Sequence, residues 1–305
     1  MGATKRAAEW IDYYNAFPYF SGDVLRPGCG PGVMLHPGGS EKAIVLVHGL
    51  TDSPYAMEAI GRYFFENLHY DVYLPLLQCH GLKEPRGMKG VSLAEWKANV
   101  QFALGIAASS SATVSLGGLS TGGALSFNFG ATDSRVTGEI YLFSAAFSLY
   151  GGPGGRCSKF LEFLLMTPLV NLYSRSNSLI GKNPYRYAKV PLLSARQLVI
   201  LMRENRLLMC PVDGGKIFGK RLFSAWSESD RVVSVHALRA FGDAIGSHLY
   251  CPFVIAKDRE VHHSCVVLDA PVYPKNSGSN KFPLELANPR FAEMMEAVRQ
   301  FEQLV

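Results

Sequence analysis

The chain has 305 residues, 48% hydrophobic and 18% charged, with a net charge of +5. That is apolar material enough for a sizeable core, as one large α/β domain or a domain carrying an insertion. No apolar run approaches the ~20 residues a spanning helix needs, and no nucleic-acid motif accompanies the basic excess.

The first residues, "MGATKRAAEWIDYYNAFPYF", lack an apolar core behind their early charges and do not read as a secretory signal. Gly2 follows Met1, but Arg6 occupies the position a myristoylation motif gives to Ser or Thr. "RPGCGPGVMLHPGG" reads as turns, with a short strand expected at residues 33–35; Gly28, Gly30 and Gly32 lack the flanking strand and helix of a dinucleotide fingerprint.

"AIVLV" (43–47) is the short β-branched run of a parallel strand buried on both faces, and it ends at His48-Gly49. Ser53-Pro54 reads as N-cap and N1 of a helix that keeps helical spacing at Ala56, Ile60, Phe64 and Leu68. "YDVYLPLL" is the next strand, and "SLAEWKANVQFALGIAAS" a helix with Ser92 and Glu95 at capping-box spacing. Strand, turn and helix follow in "SATVSLGGLSTGGALSFNFG", then a strand in "GEIYLFSAAF". Such alternation predicts a mostly parallel sheet with helices on both faces.

The alternation stops at "LYGGPGG". Some sixty residues of helical pattern follow before strands return at "KRLFSAWS" and "HLYCPFVIA", and a closing helix is expected from about residue 289 to 304. The predicted organisation is a core at 1–147, a helical insertion at 148–212 and a second core segment at 213–305. Between Gly151 and Arg221 stand twelve Lys and Arg against Glu162, Glu204 and Asp213, a local +9 that leaves −4 elsewhere. This basic insertion is a candidate for weak contact with a membrane or lipid surface.

Cys29, Cys79, Cys157, Cys210, Cys251 and Cys265 are scattered, without CxxC pairing. They are expected to be reduced thiols of a cytoplasmic protein, with no metal site.

Gly118-Leu119-Ser120-Thr121-Gly122 matches G-x-S-x-G between a strand-like and a helix-like segment. A sharp strand-to-helix turn needs glycine where a Cβ would strike backbone, and it lifts the central hydroxyl to the helix N-terminus. Ser120 is the candidate nucleophile. A serine needs a general base, which in turn needs an orienting carboxylate, in the chain order serine, acid, histidine for this type of turn. Asp230, in the loop after "LFSAWS", is the candidate acid with Glu228 as competitor, while Asp213 reads as part of a turn. His262 or His263 is the candidate base; His236 and His248 fall in a helix and ahead of a strand. The developing oxyanion requires two backbone amides. Thr121 follows the nucleophile and Leu50 lies in "VHGLTDSP", where Gly49 lets the chain bend and His48 is expected to brace it. Gly49, Leu119 and Asp52 are expected at the substrate pocket.

Together, "VLVHGLTDSP", "YLPLLQCHGLKEP" with "SLAEW", "GGLSTGG", "SESDRVV" and the late histidine with its "NPRF" helix resemble the α/β-hydrolase superfamily, in particular carboxylesterases and monoacylglycerol-lipase-like hydrolases. The resemblance implies a lid inserted before the acid, in agreement with 148–212. It points to Asp230, which precedes Val232-Val233, and to His263, which Ser264-Cys265-Val266 follow. The implied activity is cofactor-free hydrolysis of a small ester, with short- to medium-chain acyl groups expected. Monoacylglycerol lipase, thioesterase and aminopeptidase are the related alternatives, and a ligand-binding sensor with little turnover the unrelated one. Phe160, Leu161, Phe163, Leu164, Leu165 and Met166 in the insertion suggest an apolar acyl chain.

Overall fold

The computed structural model describes residues 8–152, 155–170, 179–209, 218–275 and 282–303. Eight strands form one sheet: β1 (Ala8–Glu9), β2 (Gly32–Met34), β3 (Lys42–Val47), β4 (Tyr70–Leu74), β5 (Thr113–Leu119), β6 (Ile140–Phe143), β7 (Leu222–Ser227) and β8 (Tyr250–Ile255). They lie in the order β1-β2-β4-β3-β5-β6-β7-β8. β1 and β2 pair antiparallel, as do β2 and β4, and all later pairings are parallel.

The period of two along β3 builds both layers of the core. Ala43, Val45 and Val47 face one apolar cluster; Ile44 and Leu46 face the other. The first layer is filled by α3 (Leu93–Ser110), α4 (Thr121–Thr132) and α7 (Val235–Ile245), the second by α2 (Glu58–Leu68) and α8 (Phe291–Gln303). A strand covered on both sides has no position for a polar residue, hence the unbroken apolar run in its sequence.

Two cap expectations need correction. Residues Pro54–Met57 form a 3-10 turn before α2, and Ser53, although extended, makes no cap bond. Its hydroxyl donates instead to Tyr185 O at 2.8 Å. Ser92 does cap α3, accepting from Ala94 N at 3.2 Å. Glu95, however, receives the Tyr19 hydroxyl rather than closing a capping box, and Ser92 N donates to Gln78 Oε1 at 3.0 Å. Beyond the sequence expectations, a helix α1 (Ile11–Ala16) packs the N-terminal segment onto the core. Tyr13 is fully buried there, with its hydroxyl donating to Leu76 O at 2.7 Å.

Between β6 and β7 the described residues contain α5 (Ser158–Met166) and α6 (Leu192–Met209) and no strand. α6 rests on α4 through buried amides: Asn205 Nδ2 donates to Ala124 O at 2.8 Å, and Asn128 Nδ2 to Asn205 Oδ1 at 2.9 Å. α5 is tied to α6 by the Arg206–Glu162 ion pair, and Ser148 Oγ donates to Glu162 at 2.9 Å. Phe160 and Phe163 of α5 are each 60% exposed. No described helix is long and apolar enough to cross a membrane. Cys29, Cys79, Cys157, Cys251 and Cys265 are free thiols; Cys210 and Asp213 lie outside the described residues.

Candidate active site

β5 ends at Leu119 and α4 begins at Thr121, so Ser120 alone turns the chain, at φ 54° and ψ −111°. A side-chain-bearing residue there sits outside the populated basins, at a cost of about 1–3 kcal/mol that surrounding bonds must hold. Ser120 N donates to Phe143 O at 2.9 Å, and Ser120 O accepts from Ala146 N at 3.0 Å. The flanking glycines permit the approach of neighbouring backbone. A Cβ on Gly118 would lie 2.5 Å from Val47 O, and one on Gly122 only 1.9 Å from the same oxygen.

Asp230 follows β7. Its Oδ1 accepts from Val232 N at 2.8 Å and Val233 N at 3.0 Å, which leaves Oδ2 to meet His263 Nδ1 at 2.6 Å. Burial pushes the Asp230 carboxyl upward, but the His263 ring and the two amides outweigh it and hold the group below the usual carboxylate range. The carboxylate Oδ2 thus accepts from Nδ1, which leaves Nε2 as the ring nitrogen not engaged by Asp230. Glu228, the competing acid, is engaged by Arg239. His262 is exposed, and it is His263 that faces both Asp230 and the cavity shared with Ser120.

The loop after β3 lies against the serine: a Cβ on Gly49 would stand 3.4 Å from Ser120 Cβ and 2.4 Å from Asp52 Oδ2. Two buried histidines support it from behind. His48 Nδ1 meets Gly49 O at 2.9 Å while its Nε2 accepts from Leu77 N at 3.1 Å. His80 Nε2 meets Leu50 O at 2.5 Å. Burial holds both rings neutral, His48 well below its ordinary pKa and His80 down at about 4. Leu50 lines the cavity beside Ser120. Thr121 opens α4, and the first amides of a helix have no intrahelical acceptor and carry its positive dipole end.

Ser120, His263, Leu50 and Asp52 open on one cavity of about 640 Å³. Its far wall is apolar, from Leu161, Leu164 and Leu165 of α5 and Leu198 of α6. Phe160 and Phe163, expected with them, face away, and Met166 packs on the core instead of lining the space. Leu119 also departs from expectation. It is fully buried in the layer of α2 and α8, because the strand's alternation sends its side chain away from the cavity.

No short-range pattern announces the polar cluster beside the histidine. Arg186, from the segment before α6, donates to Ser264 Oγ at 2.5 Å, pairs with Glu285, and stands 3.7 Å from Asp52 Oδ1. Ser264 Oγ and Asn183 Nδ2 also donate to Glu285, at 2.9 and 3.1 Å. Burial raises the Asp52 carboxyl, with Arg186 drawing it back and Glu285 adding to the rise. Arg186 stands 78 to 134 positions from its partners Ser264, Glu285 and Asp52, with no spacing motif between them. Among the described residues no group of three or more His, Cys, Asp or Glu is placed to hold a metal ion.

No protein-family model and no curated protein sequence matches this chain. Solved structures do. A metagenome-derived lipolytic enzyme of the LipS and LipT pair superposes with a TM-score of 0.62 at 17% identity, over 92% of this chain and 99% of its own. The monoglyceride lipase of Saccharomyces cerevisiae, solved with a substrate analog, gives 0.61 at 14% identity, over 92% and 96%. A monoacylglycerol lipase from Paleococcus ferrophilus gives 0.58 at 13%, over 90% and 97%. At such identities the likeness is one of fold.

Proposed function

We propose, proceeding from the α/β-hydrolase fold that this chain has, that it is a serine carboxylesterase acting on short- to medium-chain acyl esters through an acyl-enzyme. The observation that carries the reading is a strained, nearly buried Ser120 sharing an apolar cavity with a His263 whose other nitrogen is bound by Asp230. A glycine-rich turn without chemistry would have no reason to hold that backbone angle beside such a pair.

In this reading His263 Nε2 takes the Ser120 proton as Oγ attacks the ester carbonyl. The oxyanion is held by the Leu50 and Thr121 amides, with Gly49 and Asp52 shaping that loop. The tetrahedral intermediate collapses, the ester C–O bond breaks, and His263 passes its proton to the leaving oxygen. Water then enters, gives a proton to His263, and releases the acid by the reverse sequence. Asp230 keeps its charge and holds the tautomer throughout. No cofactor is required.

The described part of the 148–212 insertion, with α5 and α6, acts as a lid over the acyl cavity, the rest lying outside the described residues. The exposed Phe160 and Phe163, on a basic segment, favour weak contact with a lipid surface and make monoacylglycerol lipase the second reading. A p-nitrophenyl ester series of increasing acyl length, run on wild type and Ser120→Ala, tests the proposal. Expected are turnover that peaks at a finite chain length and its loss in the variant. No turnover at any length overturns the enzyme reading in favour of a sensor.

A further inference from the structure

The acyl cavity is not the only space that reaches His263. A second cavity, of about 650 Å³, adjoins the first, and the two share Arg186, Val232, His263 and Ser264. An ester under attack extends to both sides of its carbonyl, and its leaving oxygen must lie against the histidine that protonates it. On the ester-hydrolase reading above, on which this inference rests, one cavity takes the acyl chain and the other the departing group. The leucines of α5 and α6 line only the first, which fixes it as the acyl side.

The charges around the second cavity are unbalanced. Arg231 and His262 are exposed on its wall, and neither has a carboxylate partner among the described residues. Glu285 is its lone acid among the lining residues, and that carboxylate is already taken up by Arg186, Ser264 and Asn183. Arg231 is therefore a cation on this wall that no described carboxylate engages, beside the apolar side chains of Val232 and Leu286.

We propose that this second cavity is a leaving-group subsite for an anion: the favoured substrates are esters or thioesters whose alcohol or thiol carries a carboxylate or a phosphate, recognised by Arg231 and His262. The anion is released with the leaving group, so it assists binding of substrate without remaining on the acyl-enzyme. Since both side chains are exposed, the effect is screened by salt and modest in size.

The test uses phenyl butyrates carrying at the meta position no charge, a carboxylate or a phosphate. Each kcat/KM is divided by the ester's own hydroxide-catalysed rate, and the readout is the anionic-to-neutral ratio, in which losses common to both esters cancel. In wild type the ratio is expected above one, and to decline as salt rises to about 0.5 M. In Arg231→Gln it should fall about three- to tenfold and return in Arg231→Lys, with His262→Gln giving a smaller fall. The larger of the carboxylate and phosphate ratios identifies the preferred anion. A wild-type ratio at or below one for both anions, or a ratio untouched in both Arg231→Gln and His262→Gln, overturns the subsite. If the neutral ester is hydrolysed while the ratios stay flat, the subsite alone falls. If no ester is turned over, the ester-hydrolase reading falls and takes the subsite with it.

Discussion

His80→Gln probes the support beneath the loop that carries Leu50. The ring is fully buried, with Nε2 on Leu50 O and Nδ1 on the Leu77 and Gln78 carbonyls. Burial, against those carbonyl contacts, brings its pKa down to about 4. An unfolded histidine titrates near 6.5. Above pH 6.5 both states are neutral at this position. As the pH falls from about 6.5 to about 4, the unfolded chain takes up a proton that the native ring refuses, so stability declines; below about 4 both states are charged and the decline stops. A gap of roughly 2.5 pH units at 1.36 kcal/mol each makes this about 3 kcal/mol, with a slope of at most about 1.4 kcal/mol per pH unit. Glutamine can still donate to Leu50 O but does not titrate. The variant should therefore be about 1–2 kcal/mol less stable than wild type at pH 8, from lost packing and hydrogen bonds. It should then lose stability less steeply on acidification. His48, also buried and neutral, remains in both proteins. Urea unfolding at intervals from pH 4 to 8 supplies both curves. Parallel curves through pH 6.5–4 would refute the argument.

Gly122→Ala should destabilise by about 1–3 kcal/mol or more and reduce esterase activity, because its Cβ would meet Val47 O at 1.9 Å. Gly22→Ala, with nothing within 4 Å, is the control and should change Tm little. Asn205→Ala leaves Asn128 Nδ2 without its partner in the α4–α6 contact and removes the second bond to Ala124 O, and should cost about 1–3 kcal/mol in urea unfolding. Arg186→Gln removes the cation between Asp52 and Glu285. Asp52, already raised by burial, should rise further, and kcat/KM should fall about tenfold, more at high pH where both carboxylates ionise and repel. A pH-independent loss would argue against that charge coupling.

How much of this was legible in the sequence differs from residue to residue. β3 announced itself because burial on both faces forces an unbroken apolar run, and α3 because its cap, Ser92, has a local mechanism. Ser120 stood out by its glycine-flanked turn and Asp230 by its place in the loop after a strand, but only the two amides that donate to its Oδ1 and the resemblance's Val-Val pair set Asp230 apart from Glu228. His262 and His263 could not be separated by their own local pattern, since only the 3-10 turn at His263–Val267 decides which ring meets Asp230. Ser53 misled because a hydroxyl suited to a cap found a better acceptor 132 positions away, at Tyr185 O. Leu119 misled because adjacency to the serine in sequence is opposition in space on a strand. Arg186, Glu285 and the Asn128–Asn205 pair were invisible. Their partners are chosen by how the segments between β6 and β7 fold back on the sheet, which no short-range pattern encodes.

The measurement that bears most directly on the central claim is intact-mass and peptide analysis after treatment with a fluorophosphonate. Wild type should gain a single adduct, mapped to Ser120, at a rate that falls steeply in Asp230→Asn because the His263 tautomer is no longer held. Ser120→Ala should stay unlabelled while unfolding as cooperatively as wild type. An adduct on another residue, or equal labelling of wild type and Ser120→Ala, would contradict the assignment of Ser120 as the nucleophile.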